Sequence, residues 1–309
     1  MGTFLTAVQS VLPLFLIIFT GFLFSKTRIA SFTWVDILNR YALWVGFPAL
    51  IIHSLLRLDL SQESYFTLVG VNSVFIVTCI LLAYPVSYLL RLPNEKRRVL
   101  FMVFAFGNVA YLGIPVLQSV YGEGILPEAA VLASVYLFWL LTLAIFLVDL
   151  HGGEEVHLQK LVRGFVKNPL LISVFIGLAL VFLKIEIPVV ATRSLSMLAG
   201  SVTPVILLSL GIFLGFQRLG HFREWGTVTV ISLLIMLLFP GIYYAILVYA
   251  DFPGFNFRAS VLDAAMPMGL TPYAMAQQYK LDAPFTARIV MLSTALSLLV
   301  IPLWIMILG

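Results

Sequence analysis

Three features of the chain predict an all-α membrane protein of ten transmembrane helices arranged as two inverted five-helix repeats. Its composition is too apolar for a soluble domain, its apolar runs have spanning length, and its second half repeats the punctuation of its first. Of 309 residues, 61% are hydrophobic and 10% are charged, whereas an average soluble domain carries about 25% charged residues. A water-soluble particle of this size cannot hide so much apolar surface and still keep a polar skin. Lipid must therefore be the solvent for most of the exterior.

A helix needs about 20 apolar residues to cross a hydrocarbon core about 30 Å thick. Suitable runs cover residues 8–25, 35–56, 66–90, 99–121, 129–149, 168–184, 195–216, 226–250, 259–279 and 284–308. Charge gathers in the gaps: Lys26 and Arg28; Arg91 with Glu95, Lys96, Arg97 and Arg98; Glu154 to Lys167; Arg218 to Glu224. The net charge of +4 is thus a topology signal rather than a nucleic-acid surface. If the N-terminus faces away from the cytoplasm, 14 of the 18 Lys and Arg residues fall on the cytoplasmic side. Only Arg57, Lys184, Arg193 and Arg258 fall opposite. That bias fixes the orientation and puts both termini on the non-cytoplasmic side.

The basic run from Arg91 to Arg98 reads as a plain retention signal, with an anionic-lipid site as the alternative. No Lys or Arg precedes the first apolar run, which therefore reads as an uncleaved spanning helix and not a signal peptide. Cys79 is the single cysteine. It excludes an intrachain disulfide and reads as a buried, inert thiol.

The first and sixth runs align without gaps: Pro13-Leu-Phe-Leu-Ile-Ile-Phe-Thr-Gly21 lies over Pro169-Leu-Leu-Ile-Ser-Val-Phe-Ile-Gly177, and Arg28-Ile29 over Lys184-Ile185. Pro48 and Pro204 each stand 35 residues after Pro13 and Pro169. Residues 1–149 form the first repeat, 150–168 a cytoplasmic linker, and 169–309 the second repeat. Five spans per unit force the second unit to enter the membrane from the opposite face, an architecture suited to alternating access.

Repeat logic points to a binding site in matching spans that Gly and Pro interrupt. The fourth span contains Gly107, Asn108, Gly113 and Pro115; the ninth contains Asp263, Pro267, Gly269, Thr271 and Pro272. Proline removes a backbone donor inside a helix, and freed backbone groups are tolerated at membrane depth only beside protein or a wet cavity. Asn108 and Pro267 lie roughly 12–14 Å into their spans, near the midplane. Helices restarting after Pro115 and after Pro267 and Pro272 would aim free amides, equivalent to about +0.5 charge, at a central anion. An ordinary proline kink in each span is the plainer alternative.

These residues resemble the auxin efflux carrier family. The carrying motifs are Gly107-Asn108-Val-Ala-Tyr-Leu-Gly113-Ile-Pro115 with Tyr121-Gly122 beyond, and Ala264-Ala-Met-Pro267-Met-Gly269-Leu-Thr-Pro272-Tyr-Ala-Met-Ala276 followed by Tyr279. Pro48 with His53, Asn168-Pro169, Ser209-Leu-Gly211 and Leu296–Pro302 support it, and the likeness runs from the first span to the last. The resemblance implies broken, crossing spans four and nine in a mobile transport domain of spans three to five and eight to ten. It implies a scaffold of spans one, two, six and seven that forms a homodimer, and an elevator-type movement carrying a small organic anion. It further implies residence in a plasma membrane, that of a bacterium for a compact member. Asn108 matches the substrate-contacting asparagine of that family, and Pro115 and Pro267 its crossover prolines. The long hydrophilic loop of plant members is missing, and Asp263 stands where plant carriers have glutamine.

Individual polar residues carry different weights. Asn108 is the prime substrate ligand, because an amide at the midplane costs free energy unless it is bonded. Tyr111 and Thr271 are plausible pocket donors; Tyr136 and Gln277 are weaker candidates. Asp263 reads either as a coupling carboxylate, acting in its protonated form, or as an interfacial residue paired with Arg258. His53 reads as a packed histidine, with a coupling or gating role as the alternative. Asp36 and Arg40, four apart, read as an i,i+4 ion pair. No GxSxG or HExxH motif and no Walker A sequence appears, so neither an enzyme, a metal site nor a cofactor is expected. The partners expected are lipid, a small organic anion and a second copy of the chain, with no nucleic acid. An anion channel or a ligand-sensing membrane protein is the alternative to a carrier.

Overall fold

The computed structural model describes residues 2–57, 64–153, 166–218, 224–250 and 257–309. Most of the expected 150–168 linker, and part of the 218–224 gap, lies outside them. Among the described residues the regular elements are all helices: α1 (Gly2–Phe24), α2 (Thr33–Leu55), α3 (Ser64–Leu89), α4 (Asn94–Ala105), α5 (Val109–Tyr121), α6 (Glu123–Leu150), α7 (Pro169–Phe182), α8 (Val189–Phe216), α9 (Trp225–Ala250), α10 (Phe257–Ala264), α11 (Leu270–Gln278) and α12 (Ala283–Leu308). Helices dominate because lipid offers no partner for backbone amides and carbonyls, so each helix satisfies its own.

Among the described residues seven helices, α1, α2, α3, α6, α8, α9 and α12, are long and apolar enough to cross a membrane. Many apolar side chains point outward, among them Phe66 and Tyr249 at 89% and 94% exposure, as lipid-facing surfaces require. α7 has 14 residues, about 21 Å of rise, and is shorter than the apolar run suggests. It starts where the Asn168 side chain accepts from Leu170 N at 2.9 Å. It stops before Lys184, whose φ of 53° turns the chain out of the helix.

Wide π-type turns interrupt α2 at Ala42–Gly46, α6 at Leu140–Ala144 and α9 at Leu234–Leu238, and one at Val109–Gly113 opens α5. In three of them a proline, Pro48, Pro115 or Pro240, stands two residues beyond the wide turn. Widening the turn gives room where the proline ring would otherwise crowd the preceding carbonyl.

α1 lies along α8 and also packs on α12 and α5; α2 packs on α7, α8 and α6; α3 packs on α4 and α6, and α12 packs on α9 and α11 as well. The α1–α8 contact is close: a Cβ on Gly21 would overlap Leu208 O, and one on Gly211 would overlap Ile18 O. Small residues let helix backbones approach where no hydrophobic force drives helices together in lipid. At one end of the molecule Lys96 bonds Glu224 at 2.7 Å and lies 3.7 Å from Asp282. Arg288 also pairs with Glu224. Lys96 and Arg98, which donates to Val148 O at 2.9 Å, are thus engaged inside the protein.

Gly211→Ala should lower the unfolding temperature of the purified protein, the cost of overpacking being about 1–3 kcal/mol. Gly226→Ala, where a Cβ meets nothing within 4 Å, should leave it unchanged or raised. Differential scanning fluorimetry of the two variants measures the contrast.

Candidate functional site

The fourth and ninth apolar runs are both interrupted. After α4 the chain leaves the helix at Phe106 (φ −148°, ψ 97°) and re-enters it at Val109. Between α10 and α11 it is irregular from Ala265 to Gly269. The two irregular stretches face each other. Gly107 and Met268 form an isolated antiparallel bridge, and Asn108 N donates to Pro267 O at 2.6 Å. Met268 N donates to Ser293 Oγ of α12 at 3.0 Å. A Cβ on Gly107 would lie 3.2 Å from Met266 O, and one on Gly269 would lie 3.2 Å from Gly107 O. The glycines are where two backbones touch.

Asn108 is 2% exposed. Its carbonyl accepts from Leu112 N and Gly113 N at 3.0 and 2.8 Å, starting α5. Its Nδ2 is buried without a partner among the described residues. α5 and α11 both begin at this junction, and the first amides of a helix have no partner within it.

Pro115 does not mark the break expected of it. The interruption lies at Phe106–Asn108, and Pro115 sits inside continuous helix just after the wide turn of α5. Pro267 does lie in the irregular stretch, and Pro272 in the first turn of α11, where a proline is at home.

A cavity of about 260 Å³ opens beside the junction. Tyr111 of α5, Thr271 of α11, Asn168, and Asp36, Asn39 and Arg40 of α2 line it with apolar neighbours including Phe106 and Leu270. The Tyr111 ring stacks on Phe47, centroids 5.2 Å apart. Asn39 Oδ1 accepts from Ser209 Oγ at 3.0 Å. Asp36 and Arg40 do not form the expected ion pair: no N···O contact within 4.0 Å joins them among the described residues. Helical spacing permits such a pair, but both residues are exposed where they line the cavity. Asn108, Gly113, Pro115, Pro267, Gly269 and Pro272 stand behind this wall, buried in protein.

Asp263 is 1% exposed, and neither carboxylate oxygen has a hydrogen-bond partner among the described residues. A Cβ on Gly113 would overlap its Oδ1, so the carboxylate lies against the first turn of α5. The expected alternative, pairing with Arg258, does not occur; Arg258 donates to Gly309 O at 3.2 Å. The hydroxyl of Tyr136 is buried and has no hydrogen-bond partner among the described residues.

The structure does not bring His53 or Gln277 to the cavity. His53 is buried, its Nε2 3.2 Å from the Arg57 guanidinium. Gln277 is exposed and donates to Tyr273 Oη at 2.9 Å. The sequence singled out Asp36 and Arg40 only as an ion pair and did not point to Asn39, which lines the cavity with them. A larger cavity of about 380 Å³ between α3 and α9 has almost wholly apolar walls, including Val74, Phe75, Cys79 and Leu82.

A match to known proteins runs along the whole molecule. The membrane transport protein family matches residues 6–305. An "Uncharacterized transporter" of Methanothermobacter thermautotrophicus is 28% identical over 97% of this chain and 98% of its own length. A "Putative malonate transporter" of Rhizobium meliloti is 23% identical over 93% of this chain and 91% of its own. The "Probable auxin efflux carrier component 3b" of rice is 26% identical over 48% of this chain and 26% of its own. With the apolar spans and the paired interruptions, this makes the chain an integral membrane transporter rather than an enzyme, and it belongs to the membrane transport protein family, that of the auxin efflux carriers.

Proposed function

We propose that this protein is a secondary transporter of small organic anions, and that the anion binds where the two interruptions meet. The observation that carries the reading is the pairing of Asn108 N with Pro267 O, which gathers two helix starts and the unpartnered Asn108 amide at one place. Positive helix ends and an amide donor suit a carboxylate. The names of the rhizobial and rice relatives refer to malonate and auxin, and both compounds are carboxylates.

On this reading the chain crosses the membrane ten times, α4 with α5 and α10 with α11 each making one interrupted crossing. The interrupted spans cross at the midplane, and the two halves are inverted repeats joined by the 150–168 linker. α1, α2, α7 and α8, which pack on one another, serve as scaffold and as the homodimer surface. α3 to α6 and α9 to α12 form the moving body, which slides past the scaffold in an elevator-type cycle. Both termini lie outside the cytoplasm, in a bacterial plasma membrane.

Asp263 is the coupling residue. A dehydrated carboxylate without donor or counter-charge is costly, so one held in this place needs a cation, a proton or a small metal ion, when the loaded body moves.

Reconstituted in liposomes preloaded with malonate, the protein should show saturable counterflow of labelled malonate, and Asn108→Ala should reduce it by about tenfold or more. Non-saturating flux that needs no malonate inside the liposomes would make the protein a channel instead. Asp263→Asn should retain counterflow but lose uptake driven by an imposed proton or sodium gradient. Undiminished gradient-driven uptake in that variant removes Asp263 from coupling.

A further inference from the structure

The cleft of about 380 Å³ between α3 and α9 is built from two facing stripes. Its α3 wall runs from Thr67 to Leu82 and its α9 wall from Phe239 to Leu247, each in the i, i+3, i+4, i+7 pattern of one helix face. Apolar stripes of this kind ordinarily meet in a core, but here open space separates them. α3 packs on α4 and α6, and α9 on α12 and α10; the stacked rings of Phe75 and Tyr243, centroids 4.3 Å apart, bridge the two helices. Cys79, Tyr243 and Leu247 form a buried floor, whereas Val74, Ile242 and Ile246 form an exposed apolar rim. Gly70 also lines the cleft, and a Cβ there would meet nothing within 4 Å. Unlike Gly21 and Gly211, it admits no neighbouring backbone; its missing side chain leaves the cleft open.

We propose that this cleft binds one acyl chain of a membrane phospholipid, which enters sideways from the bilayer. Both helices are long and apolar enough to cross a membrane, so the medium against the exposed rim is hydrocarbon. Lipid supplies no hydrophobic force to close two helices on each other, and an unfilled space forgoes the dispersion contacts of its walls. A flexible apolar chain restores them. A charged ligand would lose its water there for almost no polar partner; the Thr78 hydroxyl already donates to Val74 O of its own helix at 2.7 Å. The length fits as well. From Thr67 to Leu82 α3 rises about 22 Å, more than one leaflet's half of a hydrocarbon core about 30 Å thick. The site shares no lining residue with the cavity of about 260 Å³, so it stands independently of the anion reading.

The test places the full-length protein in nanodiscs containing phosphatidylcholine with a diazirine midway along one acyl chain, and maps the photo-cross-links by peptide mass spectrometry. Lipid that merely surrounds the protein can reach exposed residues such as Trp44 and Leu299, but only a chain lying in the cleft reaches the floor. Wild type should therefore carry cross-links on Cys79 and Leu247 as well as on Trp44 and Leu299. Gly70→Phe, which puts a ring into the open space, should lose the floor cross-links and keep those on Trp44 and Leu299, which also shows that the variant is folded. Ile246→Trp, filling the cleft from the opposite wall, should do the same, and Gly70→Ala should keep the wild-type pattern. Floor residues left unlabelled in wild type, with Trp44 and Leu299 labelled, would mean surrounding lipid only and overturn the site. Protection of Val74 along with the floor would mean that protein, such as a second copy of the chain, covers the cleft, and overturns it too. Floor cross-links that persist in both filling variants also overturn it.

Discussion

A helix interrupted inside a membrane protein must find partners for the backbone groups it frees, and here each interruption finds them in the other. Asn108 N reaches Pro267 O, Gly107 bridges Met268, and Ser293 of α12 takes the remaining Met268 amide. An unsatisfied amide or carbonyl costs several kcal/mol in hydrocarbon. Neither break is therefore tolerable alone. The identity of Gly107 and Gly269 follows, because any side chain there would push the two backbones apart. So does the placement of α12, whose serine completes the set.

This mutual repair concentrates polarity where a membrane protein otherwise has none. Two helix starts and the unpartnered Asn108 amide meet at the junction, and the Asp263 carboxylate presses against the first turn of α5. Far from it in kind, the cluster of Lys96, Glu224, Asp282 and Arg288 ties the start of α4 to the start of α12. α4 leads into the first interruption, and α12 supplies Ser293 to the second. These ion pairs thus link the helix before the first break to the helix that partners the second.

Much of this was legible in the chain because proline and glycine act locally. The apolar runs located the helices, although several begin five or six residues before the run, and the run from Ala264 to Pro272 gave the second interruption directly. The first was misplaced toward Pro115. A proline can be absorbed by widening a turn, and whether it is depends on packing around Val109–Gly113 that no local pattern reveals. Asp36 and Arg40 went astray for a similar reason: i,i+4 spacing allows an ion pair, but the cavity against α5 and α11 is formed by residues distant in sequence. The partner expected for Asp263 failed likewise, since Arg258 is one turn away yet faces the C-terminal carbonyl. Asn108, in contrast, was readable, because a lone amide deep in an apolar run has few ways to be satisfied.

Amide hydrogen exchange of the protein in lipid nanodiscs, with and without saturating malonate, probes the junction most directly. Slowed exchange concentrated at residues 107–113 and 268–272, with the rest of the helices unchanged, is the result expected if the anion sits on the paired helix starts. Unaltered exchange at both stretches while malonate is bound would place the anion elsewhere and contradict the central claim.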